Sequence, residues 1–345
     1  MNKGYITKEI ISSTSRKSVI RLIYLTIAFL ILLNEAFYFY LKYDNPNLGY
    51  EVNAKKWSML KKMNNSSDWV ILGDSTCNQG LSVSTFEESL NTNAVNLCTI
   101  GDMLVVSDSW ILNQYIKKFG PPNNVLIIHT YNVWHRNSID IGLASQLPVW
   151  SLIKERPGPW IFHKKDEIKL LAYKYIPLYS QKSSLFKIVI GIFQKNNREE
   201  IIFDSKGFMS INNADPETVS ISIKNHKDYL EKNKFEMSSE NLEGLENVKE
   251  LAQKYGFNVF IAGGPMNEEL YNDENFQAYS SDIKSYLENF AKQSDKIYYI
   301  SNIYTFPASQ MISADHIIAD AAQEYSKEIS EKIKEINFSQ IRKLQ

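Results

Sequence analysis

The chain has 345 residues, more than one ordinary domain of roughly 150 residues needs. It is 44% hydrophobic and 22% charged, with 14 Gly and 10 Pro, which excludes a collagenous, coiled-coil or wholly disordered polypeptide. Lys+Arg 38 against Asp+Glu 39 leaves a formal charge of −1, without the basic surplus of a phosphate binder, so no nucleic-acid partner is expected. Two Cys cannot build a disulfide-rich scaffold or a four-Cys zinc site.

Residues 1–21 form a basic tail carrying Lys3, Lys8, Arg16, Lys17 and Arg21. Leu22 to Leu41 follows, mostly Leu, Ile, Phe and Tyr. As a helix at about 1.5 Å per residue it would span roughly 30 Å, the thickness of a bilayer's hydrocarbon. The basic flank predicts a cytoplasmic N-terminus and an outward-facing remainder, and Phe37 to Tyr40 suit the far interface. The run ends in Asn34-Glu-Ala-Phe-Tyr38 without a small-x-small cleavage pattern, which favours an uncleaved single-pass anchor over a signal peptide. Glu35 in its outer half is costly in hydrocarbon unless interfacial, protonated or paired with another membrane protein.

Residues 42–65 are polar and Lys-rich, a linker or short helix. Trp69-Val-Ile-Leu72 then reads as a buried strand stopped by Gly73-Asp-Ser75. Ser84-x-x-Glu87 predicts a capping box at a short helix. Further strands are expected at 94–97, 124–129, 258–262 and 296–300. Helices are expected at 103–119, around 242–255 and 283–290, and along 318–333. Strands that are continuous apolar runs, alternating with helices, predict an α/β fold: three layers, with a five-stranded mostly parallel sheet of flavodoxin-like type. The core is read as two parts, 66–135 and 241–345, separated by a helical insertion or cap at 136–240.

In such a sheet the ligand site lies beyond the carboxyl ends of the strands. Ser75, Gly101 and Asn132 fall there, and His316 just precedes the last helix. A serine becomes a useful nucleophile when a base takes its proton, and His is the usual base near neutral pH. A tetrahedral intermediate then needs donors aimed at its oxyanion, which the N–H groups of Ser75 and Gly101 and the Asn132 amide could supply.

These blocks carry a resemblance. The chain resembles the SGNH (GDSL-type) hydrolase superfamily in Val70-Ile-Leu-Gly-Asp-Ser75, Asn96-Leu-Cys-Thr-Ile-Gly101, the Asn132 of His129-Thr-Tyr-Asn-Val-Trp134, and Ser313-Ala-Asp-His-Ile-Ile318. The resemblance covers about 66–135 and 240–336. It implies Ser75 as nucleophile, His316 as base, and Ser75, Gly101 and Asn132 as the oxyanion hole. Two positions depart from the pattern. The third block reads Thr130-Tyr-Asn-Val133, and Ser313 stands where the family has its Asp, three residues before the His. Asp315 directly precedes His316. In extended backbone adjacent side chains face opposite ways, so Asp315 completes a triad only if a turn intervenes; otherwise the site is a Ser–His dyad.

Asp74, Tyr131 and Trp134 are candidate substrate contacts. His129 and His135 lack a recognised ligand spacing and no metal is expected. His163 and His226 are expected at the surface. Cys77 and Cys98 follow neighbouring strands, compatible with a disulfide in an oxidising compartment and equally with two buried thiols. The insertion holds Trp150, Trp160, Phe162 and several Tyr, and its apolar run 185–193 is too short to span a bilayer. Anchor, core and insertion together resemble a membrane-anchored branch of the superfamily, bacterial proteins that modify surface polysaccharides by O-acylation. That implies acyl transfer or removal on a surface glycan through an acyl-serine, without a cofactor, beside a membrane-bound acyltransferase partner, in the bacterial cytoplasmic membrane and facing outward. The alternatives are a catalytically impaired scaffold or glycan-binding component of such a complex, and a lipid esterase.

Overall fold

The structure is a computed structural model that describes residues 4–43, 47–182, 184–186, 188, 202–214 and 216–344. Five strands form the central sheet: β1 (Trp69–Gly73), β2 (Ala94–Asn96), β3 (Asn124–His129), β4 (Asn258–Gly263) and β5 (Ile297–Ile300). Their spatial order is β2-β1-β3-β4-β5 and every pairing is parallel, as the apolar runs predict. All of β1 and β2, and β3 after Asn124, are buried, because helices cover both faces. Gly73 pairs with Ile128, and His129 with Gly263, which aligns the carboxyl ends along one edge.

The helices fall where apolar residues recur at helical spacing. α1 (Gly4–Tyr43) and α2 (Leu48–Lys62) precede the sheet. α3 (Ser75–Gly80) and α4 (Val83–Leu90) connect β1 to β2, and α5 (Leu104–Phe119) leads to β3. α6 (Pro216–Lys232), α7 (Ser239–Tyr255), α8 (Glu274–Ala291) and α9 (Ala319–Leu344) complete the layers. Within α1 the 27 residues Arg16–Lys42 are long and apolar enough to cross a membrane. Leu22, Leu25 and Leu32 there are exposed, whereas Phe37 and Leu41 are covered by the rest of the chain.

Of the linker and the short helix expected at 42–65 the helix forms, and two other local expectations change. The stretch 42–65 contains the packed helix α2, which buries Val52, Trp57, Leu60 and even Lys56. The Lys56 ammonium is held by the backbone and side-chain oxygens of Asn96, both at 3.0 Å, and by the Gly207 carbonyl. The capping box at Ser84 does not form, because α4 starts at Val83. Glu87 instead accepts from the Ala94 N–H at 2.8 Å and pairs with Lys206, tying α4 to β2. The segment 136–240 is not helical throughout. It includes the antiparallel pair Ile202–Phe203 and Met209–Ser210, and its Val149, Leu152, Phe162 and Leu170 join the main core. Of the apolar run 185–193, residues 187 and 189–193 lie outside the described residues.

Candidate active site

β1 ends in a sharp turn. Gly73 has φ +141°, and a Cβ there would lie 1.9 Å from the Ile128 carbonyl oxygen, so no other residue fits this position. Asp74 caps α3, accepting from the Thr76 N–H (2.8 Å) and hydroxyl (2.6 Å) with one oxygen and from the Thr130 N–H (2.7 Å) with the other. The turn thereby lifts one side chain into reach. From Trp69 to Val83 every residue is buried except Ser75.

Ser75 Oγ lies 2.8 Å from His316 Nε2, and His316 Nδ1 lies 2.8 Å from Asp315 Oδ1. A hydroxyl–imidazole–carboxylate chain results, in which Nδ1–H faces the carboxylate and Nε2 accepts from the serine. Asp315 reaches its own neighbour's ring because the segment turns back on itself. The Ile312 N–H bonds the His316 carbonyl at 2.7 Å, and Met311 bridges Ile317. The extended backbone that would have separated the two side chains is absent, and the turn needed for Asp315 to reach His316 is present. Ser313, three residues before the imidazole, donates to Asp315 Oδ1 (2.9 Å) and touches His316 Nδ1 (2.9 Å). Thr130 donates to Asp315 Oδ2 at 3.1 Å. Burial alone would push the Asp315 carboxyl up, yet the His316 imidazole beside it, with the Ser313 hydroxyl, holds it far below the usual carboxylate range. Burial pulls His316 down, but Asp315 outweighs this and raises it.

Gly101 opens a short 3-10 turn after β2, and Asn132 lies in the turn after β3. Neither the N–H groups of Ser75 and Gly101 nor Asn132 Nδ2 has a hydrogen-bond partner among the described residues, leaving three donors available at this edge. Arg136, which the sequence reading passed over, orients one of them. It donates to Asn132 Oδ1 at 2.8 Å, fixing the amide's orientation, and to Asp102 Oδ1 at 2.6 Å. A Cβ on residue 101 would come within 2.9 Å of its Nη1 and 3.0 Å of Val133 Cγ2. Buried Asn241 braces the same turn by donating to the carbonyls of Val133 (2.8 Å), Trp134 (3.2 Å) and Arg136 (3.0 Å).

The proposed substrate contacts are placed otherwise. Asp74, Trp134 and Tyr131 are all buried, so they support the site from behind. Trp134 stacks edge-on against His129. His129 lies in a charge cluster beneath the serine turn, 2.6 Å from Asp108 and 3.5 Å from Asp74. Burial disfavours its imidazolium, yet the carboxylates of Asp108 and Asp74 raise it to about 9. His163 is exposed as expected, but His226 is half-buried, accepting from the Tyr131 hydroxyl at 2.9 Å. It belongs to α6, whose Ser222 also accepts from the Ala314 N–H at 3.0 Å. The insertion thus buttresses the His316 turn. Cys77 and Cys98 form a disulfide with Cα atoms 6.0 Å apart, linking α3 to the segment between β2 and Gly101.

No protein-family model and no curated protein matches the chain. Among solved structures it is similar to a family two carbohydrate esterase from Clostridium thermocellum in complex with cellohexaose, at 11% identity and a TM-score of 0.36, with 77% of this chain covered. An active-site mutant of a family two carbohydrate esterase from the same organism matches with the same values. The match spans 63% of the length of those esterases.

Proposed function

We propose that the chain is a membrane-anchored serine acyl hydrolase or O-acyltransferase of SGNH type, acting on a cell-surface glycan with its catalytic domain outward. The reading is carried by the hydrogen-bonded chain from Asp315 through His316 to the one accessible residue of a buried strand-to-helix turn, Ser75. In this reaction Ser75 Oγ attacks an acyl carbonyl while its proton passes to His316 Nε2. The oxyanion is received by the N–H groups of Ser75 and Gly101 and by Asn132 Nδ2. Collapse breaks the bond to the departing alcohol or thiol, which takes the proton from His316. A sugar hydroxyl or water then attacks the acyl-serine and gives its proton to His316, which returns it to Ser75 Oγ as the acyl–Oγ bond breaks. Asp315 steadies the imidazolium throughout. Its contact with His316 speaks for catalysis over the scaffold reading, which supposed a missing acid.

The Arg16–Lys42 helix supports a single anchor with the basic tail inside, and a membrane-bound acyltransferase is the natural acyl donor for such a domain. Replacing Ser75 by Ala at its own locus and measuring ester-linked acyl groups on the surface polymer tests the reading. A transferase predicts a loss and a hydrolase a gain. Unchanged acyl content would overturn it.

A further inference from the structure

The outer end of α1, one face of α2 and the segment 145–181 line a cavity of about 540 Å³ that shares no lining residue with the Ser75 site. One part of its wall is apolar, from Tyr38, Leu41 and Pro177. The other is cationic, from Lys42, Lys55, Lys62 and Lys174, the last already donating to the carbonyls of Ser145 and Leu147. Glu51 is the one carboxylate among the lining residues, and it is already paired with Lys55 at 2.6 Å. Lys42 and Lys62 have no ion-pair or hydrogen-bond partner among the described residues.

The height of this cavity along α1 is fixed by a hydrogen bond. Asn34 Nδ2 donates to the Tyr175 carbonyl at 2.8 Å, and Phe37 and Leu41 are buried beside it. Asn34 precedes Leu41 by about 10 Å of helix, so the chain around Tyr175 runs alongside the last two turns of the apolar segment. Its outer surface there is Tyr175, Ile176 and Tyr179, all exposed, with exposed Trp150 donating from its indole to the Tyr175 hydroxyl at 2.6 Å. Aromatic rings with polar tips favour the boundary between hydrocarbon and headgroups. The cavity therefore straddles that boundary, with its apolar wall below and its lysines at headgroup level.

We propose that this cavity holds the phosphate headgroup of an anionic lipid of the outer leaflet, with Lys42 and Lys62 at the phosphate and Tyr38, Leu41 and Pro177 against the upper acyl chain. The inference rests on the reading of α1 as an uncleaved anchor. A lipid fits better than a soluble phosphate ester because half of the wall is apolar and continuous with the membrane-crossing surface. Such a site would pin the domain against the membrane.

Alkaline carbonate extraction of membranes comes first, since release of the full-length protein would withdraw the anchor reading itself. Protein retained in the membrane is then purified in a non-ionic detergent and titrated with dioleoylphosphatidylglycerol or dioleoylphosphatidylcholine, with bound lipid counted by native mass spectrometry. One phosphatidylglycerol retained in preference to phosphatidylcholine is expected. The exposed double variant Lys42→Glu/Lys62→Glu should weaken that retention roughly thirtyfold. Equal retention of the two lipids, an unaffected double variant, or a lipid-free dimer seated on this face would overturn the site. Full competition by equimolar sn-glycerol 1-phosphate would overturn its assignment to a lipid.

Discussion

Asp315 and Ser313 share the orientation of His316 in a way residue types alone do not reveal. The carboxylate stands next to the imidazole, and the hydroxyl occupies the position three residues before it. Because Asp315 stabilises the imidazolium, the pKa of His316 lies above its ordinary value of 6.5, and the neutral base accumulates as pH rises through that raised value. The rate of acyl transfer to a chromogenic ester should therefore climb with pH above 6.5. Asp315→Asn removes the charge that raises the base, so the rising limb moves to lower pH while kcat falls by roughly 10²- to 10⁴-fold. A profile whose limb does not move would contradict the assigned orientation. Ser313→Ala leaves the carboxylate in place and should shift the limb less. At the oxyanion edge, Asn132→Ala should lower kcat by about 10²- to 10³-fold with little change in KM. Arg136→Ala should do the same to a smaller degree, because it acts through the Asn132 amide.

At the scale of elements, the strands and the long helices were legible because each strand is an unbroken apolar run and each helix repeats its apolar positions. Gly73, Ser75, Gly101, Asn132 and His316 were legible for the same reason: they punctuate those runs. The reach of Asp315 was not, since side-chain direction depends on the hydrogen bond from Ile312 to His316, which no local pattern encodes. Glu87 shows the converse. A capping signature was present, but the carboxylate found a better use at Ala94 and Lys206, so tertiary contact overrode local preference. Arg136 and Ser222 were missed because their partners, at 102, 132 and 314, are assembled by the fold. The Cys77–Cys98 bond joins the serine helix to the approach to Gly101 across a sequence separation of 21. Closing a loop of that size stabilises by roughly 3 kcal/mol. Replacing both Cys by Ser should lower the unfolding free energy by about that amount in urea titrations, and the same loss should appear when wild-type protein is reduced. Equal stability with and without reductant would mean that the link constrains nothing.

Across the whole molecule, the surplus length divides into the long apolar helix α1 with α2, a parallel-sheet core and an insertion that shares the core. The insertion supplies His226 and Ser222 to the surroundings of the site and the Tyr175 segment to the side of α1. Deep to Ser75, the Asp74–His129–Asp108 cluster ties β1, β3 and α5 together. His129 has its pKa raised from 6.5 to about 9, so its contribution to stability is complete below about 6.5 and is lost as pH rises through about 9. Melting temperature should decline across that window. His129→Gln should flatten the decline and cost roughly 3–5 kcal/mol, since it leaves two buried carboxylates without their cation. A variant with the wild-type slope would contradict the charge state assigned to the cluster.

The central claim is that Ser75 is an activated nucleophile. Intact-mass analysis of the folded full-length protein after exposure to a fluorophosphonate probe tests it most directly. One covalent adduct, mapped to Ser75, absent in Ser75→Ala and strongly slowed in His316→Ala, is the predicted result. Folded wild-type protein that takes up no probe, or a Ser75→Ala variant that labels as well as the wild type, would contradict it.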